Sequence, residues 1–563
     1  MFILLALFLL LAQLFNGGFF PQEVAYLSML GIGIGALATV ELFRRPVSST
    51  TNKWVLLTAG WLVIETFTSP VIELSTLAMV RYLLYAIIFF AGTTLAENDK
   101  YKLVLLFLGF TVANCVLAVG QELTSATHIW GLQGWQAACV PGRANGMFYN
   151  PNYLGSIAVA GEGMLLGWLY LKRPVVSKVK LGLVIASLLV VSEAIIASKS
   201  REACLFTGLV LITTCVFAMY QRSNLLAILA SLVLVFQICS FYAHKDLVHH
   251  TADLTATTLN ASSTAGENNR LTYWKGSLIL WQQSPITGIH PQMLDARWPE
   301  VQPKGLQTYP FMAHSLPIQI LCDLGVIGAL FIGGFFLYWG RDLRQQIQSS
   351  NHTACLASIG AILLISHDLL DYSMFSVALG GSACLLVSLS LLVKPTTKSA
   401  GLISNIALVI IIGILGLRLV QENRYLYYAG KTNTDPKLHV IELVQASKWV
   451  PFNPSAQTAL AQAASVIDDR RTTGQALLAA NKLNPYDPEI TFQLARFLYP
   501  SSPDISSTLM ADMLKRSPYN LQILQSSLKF AMFIKDTNQV HAITARLASL
   551  PQFSQGFKAR RVN

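Results

Sequence analysis

Apolar runs at 2–15, 23–43, 54–68, 73–96, 103–120, 153–171, 181–198, 203–220, 224–243, 315–339, 353–371, 374–393 and 402–420 alternate with short polar stretches. Each run suits one crossing of a bilayer, for which a helix needs ~20 residues, the first, third and eleventh being short or weak. The pattern predicts an all-α, polytopic membrane bundle of about 12–13 helices. After residue 420 the chain turns polar and predicts no further crossing. The expected organisation is a membrane domain at 1–420 and a soluble helical domain at 421–563.

Composition narrows the class. Of 563 residues 53% are hydrophobic and only 12% charged, too apolar for a soluble globular chain. The net charge of +11 does not point to nucleic acid, because many of the basic residues sit in short loops between apolar runs. With a cytoplasmic N-terminus, alternate loops carry Arg44, Arg45 and Lys53, then Lys100 and Lys102, then Lys172, Arg173, Lys178 and Lys180, then Arg222, Arg341, Arg344, Lys394 and Lys398. The short loops 16–22, 69–72 and 372–373 carry neither Lys nor Arg. That asymmetry predicts those three loops, the loop 244–314 and the C-terminal domain to be extracytoplasmic. Residues 1–15 lack a basic start and a small-residue cleavage site, so they are expected to be a retained helix. Eight cysteines form no zinc pattern; all but Cys139 lie in or beside apolar runs and suit small core residues.

The orientation isolates a few basic residues on the outer side against the rule. Arg143 lies in the Gly/Pro/Asn-rich stretch 121–152, where a solvated loop arginine is an equally good account and Asn152 suits a helix N-cap. Arg201 lies in the tight turn 198–202, where snorkelling to headgroups is the simpler reading. Arg270 opens a segment in which Leu271, Trp274, Leu278 and Trp281 recur at helical spacing, an amphipathic helix suited to the membrane interface. His314 sits where the next apolar run begins. His244, His249 and His250 are discounted as metal ligands, and His290 reads as a solvated loop residue. His367 and Asp371 are spaced to share one helix face, as a hydrogen-bonded pair that stabilises the helix end or supports a neighbouring group. No metal site and no cofactor are expected.

Beyond 420, Phe452-Asn453-Pro454, Leu483-Asn484-Pro485 and Arg516-Ser517-Pro518 recur near the period of tetratricopeptide helix pairs, without that repeat's signature residues. They predict a TPR-like helical domain that binds a partner.

Three outward arginines and one histidine suggest a chemistry. Converging guanidiniums need a polyanion, and Arg grips phosphate oxygens bidentately. A polyprenyl-linked pyrophosphate is the natural polyanion of an outer leaflet. A histidine, with an unperturbed pKa near 6.5, can take a proton from an attacking hydroxyl. No acidic pair accompanies them, which disfavours two-carboxylate hydrolysis.

The segments GRANGMFYNPNYLG (142–155), SREACL (200–205), NRLTYWKGSLILWQQSPITGIHP (269–291), AHSLPIQILCDLGVIGALF (313–331) and SHDLLDYSMF (366–375) resemble the O-antigen ligase superfamily. That superfamily includes O-antigen polymerases and pilin-type O-oligosaccharyltransferases. The likeness covers about 140–395. It implies metal-independent transfer of an undecaprenyl-pyrophosphate-linked glycan to an acceptor hydroxyl, on the outer face of a bacterial cytoplasmic membrane. It implies His314 as the catalytic base and Arg143, Arg201 and Arg270 as arginines for the pyrophosphate. His367, Asp371 and Trp274 are supporting candidates. The sequence departs from the pattern at Ser315, where Asn is usual, and at Glu202, where a small residue is common. The acceptor implied is a protein Ser/Thr, a lipid A core sugar or another lipid-linked repeat unit; the extra C-terminal domain favours protein. A lipid-linked glycan transporter is the rival class, but its charges belong near the bilayer midplane, where only Arg81 and Glu162 are candidates. A mere membrane anchor leaves the outer arginines unexplained.

Overall fold

The computed structural model describes residues 1–48, 50–126, 142–172, 176–244, 269–304, 306, 310–395, 398–431 and 435–550. Each of the thirteen apolar runs forms a helix. These are α1 (Phe2–Leu14), α2 (Pro21–Arg44), α3 (Thr50–Thr68), α4 (Ile72–Thr93), α5 (Glu97–Thr124), α6 (Pro151–Lys172), α7 (Lys178–Ala197), α8 (Arg201–Tyr220) and α9 (Asn224–Ala243). After a polar interval come α12 (Leu316–Gln348), α13 (His352–His367), α14 (Val377–Ser390) and α15 (Lys398–Ala429). Among the described residues nine of these are long and apolar enough to cross a membrane, and α1, α13 and α14 are shorter apolar helices. The chain is a multi-pass membrane protein. Its sole strand pairing among the described residues is the two-residue antiparallel match of Val47–Ser48 with Lys394–Pro395.

Burial grades outward from the centre. Helices α4, α6 and α14 are buried on nearly every side, whereas α8, α9 and α15 keep large apolar side chains such as Leu209, Ile228 and Ile410 exposed, as lipid-facing helices do. Small residues set the closest approaches. A Cβ on Gly92 of α4 would overlap Ser388 Oγ of α14, and one on Gly163 of α6 would overlap Leu363 of α13. Apolar lipid gives no driving force for helix association, so such close packing carries it.

Two polar ends result. One ties Thr51 to Asp342 at 3.3 Å, Asn351 to Glu97 at 3.4 Å and the short strand pair together. It gathers the loops rich in Lys and Arg. The other end joins Tyr149 N to Asn16 O, Ala378 N to Gly17 O, Ala144 N to Ala197 O and Leu316 N to Asp368 O. Here the loops that carry the candidate residues meet.

The polar interval holds α10 (Arg270–Trp281) and α11 (Met293–Arg297), followed by a single 3-10 turn, Trp298–Glu300. The packed face of α10 is Tyr273, Gly276, Ser277 and Leu280, not the Leu271/Trp274/Leu278/Trp281 stripe. The large Trp298 indole, fully buried beneath Gly276, selects that face. Trp274 and Trp281 are half-buried, and their indoles donate to His314 O and Pro285 O.

Helix α12 is broken, which its apolar pattern did not predict. Gly325 adopts φ 62°, ψ −165°. Segment 285–289 fills the break: Val326 N donates to Pro285 O at 3.0 Å, Ile327 N to Ile286 O at 3.2 Å, and Ile289 N to Cys322 O at 2.6 Å. Trp61 of α3 caps Leu324 O at 2.9 Å. Backbone polar groups exposed by a break inside a membrane protein need such partners.

The last crossing does not stop at residue 420: α15 continues to Ala429 as one helix. Arg418 on it forms a two-pronged ion pair with Glu73 at the head of α4. Seven helices follow, α16 (Pro436–Trp449), α17 (Pro454–Val466), α18 (Arg470–Leu483), α19 (Pro488–Leu498), α20 (Pro503–Arg516), α21 (Leu521–Phe533) and α22 (Thr537–Ala548). Their starts follow local chemistry. Asp435, Asn453, Asp469, Asp487, Asn520 and Asp536 each accept a backbone N–H in the first turn, and Pro occupies the first helical position of α16, α17, α19 and α20. Consecutive helices pack on one another, and Tyr486 joins the apolar cluster around Trp298.

Candidate functional site

His314 does not lie within a helix. It sits in the left-handed region, φ 52°, one residue before the Ser315 cap of α12. Such a conformation is strained for a non-glycine residue and needs its surroundings to hold it. Ala313 N donates to Gln319 Oε1 at 2.7 Å, and Leu316 N donates to Asp368 O at 2.7 Å. The second bond ties the His314 turn to loop 368–376.

Asp368 shapes that loop from within. Its carboxylate is fully buried and accepts the backbone N–H of Ser373 at 3.0 Å and of Met374 at 2.7 Å. The tight loop delivers Asp371 to the histidine. His314 Nδ1 lies 3.0 Å from Asp371 Oδ1. The imidazole is also stacked on Tyr273, centroids 6.0 Å apart, and remains 35% exposed.

The second oxygen of Asp371 leads to the arginines. Asn152 Nδ2 donates to Asp371 Oδ2 at 2.9 Å, and Asn152 Oδ1 accepts from Arg143 at 2.7 Å. Arg143 Nε donates to Ser198 O at 2.9 Å, in the turn that opens α8. Asn152 is therefore not the cap of α6. That helix starts at Pro151 and Asn150 Oδ1 accepts Asn152 N, which frees the Asn152 amide to bridge.

Arg270, at the head of α10, reaches the same carboxylate, with Asp371 Oδ2 3.7 Å from its guanidinium. It also donates to Leu370 O and to Glu202 Oε1. The other oxygen of Glu202 accepts from Ser200 Oγ at 3.3 Å. Arg201, half-buried, is the first residue of α8, between the Ser200 cap and Glu202. Burial alone would raise the Asp371 carboxyl, but the His314 hydrogen bond and the Arg270 charge outweigh it and hold the group well below the usual carboxylate range.

Two sequence readings are corrected. Helix α13 ends at His367, so His367 and Asp371 do not share a helix face. His367 is fully buried beside Phe206, with Nδ1 3.8 Å from Asp368, while Asp371 pairs with His314. His290 is half-buried and paired rather than a free loop side chain. Its Nδ1 lies 3.1 Å from Glu65 O and 2.8 Å from Glu65 Oε2, a carboxylate only 2% exposed. His249 and His250 lie outside the described residues. Among the described residues no three His, Cys, Asp or Glu side chains converge as a metal site.

Beneath the site an apolar cavity of about 220 Å³ runs between α3, α4, α12 and α14. Leu316 and Tyr372, the immediate neighbours of the histidine turn and of Asp371, line it together with Leu62, Phe89, Phe335 and Val387. Around the site's mouth Phe19 stacks on Tyr149 at 4.6 Å and lies 6.3 Å from Phe311, and Phe20, Tyr149 and Phe311 are exposed.

The transporter reading looked to Arg81 and Glu162. Arg81 is buried, donates to Phe19 O and covers the Phe375 ring at 3.7 Å. Glu162 is fully buried and accepts from Ser192, Thr207 and Gln237. Both are enclosed by packed side chains.

Residues 186–333 match the family described as O-antigen ligase. The matched stretch contains Arg201, Arg270, Trp274 and His314 and stops before His367 and Asp371. No curated protein matches the chain.

Proposed function

We propose that the chain is a membrane glycosyltransferase of the O-antigen ligase family, whose model matches residues 186–333, and that it transfers a glycan from an undecaprenyl-pyrophosphate carrier to an acceptor hydroxyl. The observation that carries the proposal is the continuous network Arg143–Asn152–Asp371–His314, with Arg270 on the same carboxylate. An ionised carboxylate only accepts hydrogen bonds, so Asp371 fixes the proton of His314 on Nδ1 and leaves the Nε2 lone pair for the acceptor hydroxyl. As that hydroxyl attacks the anomeric carbon, Nε2 takes its proton and Asp371 stabilises the imidazolium. The pyrophosphate leaves with its charge countered by Arg143, Arg201 and Arg270.

The cavity supports the lipid half of this donor. It is apolar, lies within the membrane helices and begins beside Asp371 and His314, so a prenyl chain in it would set its pyrophosphate at the arginines. The exposed rings of Phe20, Tyr149 and Phe311 offer flat faces for sugars. We take the acceptor to be a protein Ser or Thr. The C-terminal helices, read as a TPR-like partner-binding domain, pack through Tyr486 against the outer cluster around Trp298 and could present a polypeptide to the mouth.

The test feeds purified protein a labelled undecaprenyl-pyrophosphate glycan together with a Ser/Thr-rich secreted protein, a lipid A core and unlabelled donor. Label in the protein supports the whole reading. Label in the lipid A core or in longer glycans keeps the transferase and changes the acceptor, and no transfer to any of the three overturns the reading.

A further inference from the structure

Arg270 is already occupied. Its guanidinium holds Glu202, Leu370 O and, at 3.7 Å, Asp371, and its side chain is only 21% exposed. Asp371 has its own assignment, pairing His314 and Asn152. Glu202 has none of that kind. Its partners are Arg270 and the Ser200 hydroxyl, and its side chain is 10% exposed at the head of α8. Arg270 faces two carboxylates here, Glu202 and Asp371, where the proposed donor brings two phosphates. A carboxylate on a guanidinium takes up the donors that a phosphate oxygen would use.

Resting on the transferase reading above, we propose that Glu202 is a resident counter-anion of the pyrophosphate site, holding Arg270 between turnovers and favouring departure of the spent carrier. The chemistry gives the direction. Transfer breaks the bond between the anomeric carbon and its phosphate oxygen and forms one to the acceptor oxygen. The acceptor's proton passes to His314, and the phosphate oxygen keeps the electron pair. The carrier pyrophosphate thus gains one negative charge as it becomes product. A fixed carboxylate beside it repels product more than donor, and it is ready to take back Arg270 as the product leaves. Without Glu202 three arginines would hold the more highly charged product most tightly of all.

The competing role has the opposite sign. If Glu202 merely positions Arg270, its removal loosens the arginine and weakens anion binding. The experiment measures displacement of labelled inorganic pyrophosphate from the full-length, detergent-purified protein, and inhibition of transfer by the same anion. Glu202→Gln keeps an oxygen for Arg270 but removes the charge; Glu202→Ala serves where the amide does not express. Either is expected to bind pyrophosphate about tenfold more tightly and to be inhibited at correspondingly lower concentration, a difference of about 1.4 kcal/mol. Glu202→Asp, which keeps the charge, should stay near the parent. Unchanged or weaker binding in Glu202→Gln overturns the inference. Arg143→Ala and Arg270→Ala separate the two levels. Should both lose pyrophosphate while Glu202→Gln matches the parent, only the counter-anion role falls. Should both bind it like the parent, or the parent not bind it at all, the phosphate reading falls with it.

Discussion

His314 Nδ1 lies 3.0 Å from Asp371 Oδ1, although 57 positions separate the two residues, and the other oxygen of the carboxylate carries Asn152. An ionised carboxylate only accepts hydrogen bonds, so this contact favours the imidazole proton on Nδ1 and holds the ring in one direction. With the proposed role of base, His314→Ala should lower turnover by roughly two to four orders of magnitude. Binding of the lipid-pyrophosphate donor should be retained, since the ring is a third exposed and fills little core volume. His541→Ala, exposed on α22 and bonded to its own helix, is the matched control and should be near neutral. Single-turnover kinetics beside donor binding separates the two; loss of both together would move the base elsewhere.

Asp371 sets a pH dependence with a definite sign. Burial is outweighed by the His314 hydrogen bond and the Arg270 charge, so the folded carboxyl sits below its unfolded value of about 3.9. Its contribution to stability is therefore complete above that value and disappears only as pH falls through the folded one. Between pH 5 and 8 the group does not titrate, and the acid limb of the rate profile must come from another group. In Asp371→Asn the imidazolium loses its counter-charge, so the plateau rate should fall at least about tenfold, and the acid loss of stability that this carboxyl contributes to the parent should be absent. A plateau equal to the parent's would detach the carboxylate from the histidine's role.

Arg270 counters Glu202 and Asp371, whose side chains are 10% and 4% exposed. Removing one partner of a buried ion pair leaves an uncompensated charge and costs about 3–5 kcal/mol where burial is complete. Arg270→Ala should therefore lower the unfolding midpoint well below that of the parent. Adding Glu202→Gln to Arg270→Ala should recover part of the loss, because it removes one of the stranded charges. Thermal unfolding of the four proteins closes the cycle, and strict additivity would show that the pair is not coupled.

These relations show where sequence patterning succeeds and where it stops. Thirteen apolar runs declared their helices because in a bilayer the backbone has no other way to satisfy itself. His314 and Arg270 stood out because each is a polar residue at the head of an apolar or amphipathic segment. The C-terminal helices announced themselves by Asn or Asp before six of their seven starts and Pro just inside four of them. The partners were not legible. Glu202 meets Arg270 across 68 positions, and Asn152 looked like a cap because caps and bridges use the same side chain. Asp371 was drawn to His367 by spacing alone, since nothing local marks His367 as the last residue of its helix. The break in α12 was invisible for a related reason: Leu324, Val326 and Ile327 continue the apolar run straight through Gly325.

That break gives a further expectation. Gly325 has φ 62°, ψ −165°, a region essentially reserved for glycine, and a Cβ there would overlap Ile286 O and Gly288 N. Gly325→Ala must either expel segment 285–289 or straighten the helix, and both disturb the His314 turn at the head of α12. The variant should lose more than about 2 kcal/mol of stability, combining backbone strain with the clash. Gly333→Ala, on the same helix with open space around its Cβ position, should be neutral or slightly stabilising by thermal unfolding. Equal midpoints would remove the structural role assigned to the break.

The orientation of the bundle decides which leaflet supplies the donor. One end carries Arg44, Arg45, Lys100, Lys102, Arg341 and Arg344, and basic residues at the ends of membrane-spanning helices are retained on the cytoplasmic side. The other end carries the His314 network and, through Arg418–Glu73 and Tyr486, the C-terminal helices. Arg143 and Arg270 there are bound within the network. Cysteine placed at Ser501, exposed in the turn between α19 and α20, should react with a membrane-impermeant thiol reagent in intact spheroplasts. Cysteine placed at Gln348, exposed at the end of α12, should react only after lysis. Both are read over the background of the parent's own cysteines. The reverse result would put the arginines and the histidine in the cytoplasm, where a glycan displayed on the outer leaflet is out of reach, and the proposed donor would fall with the orientation.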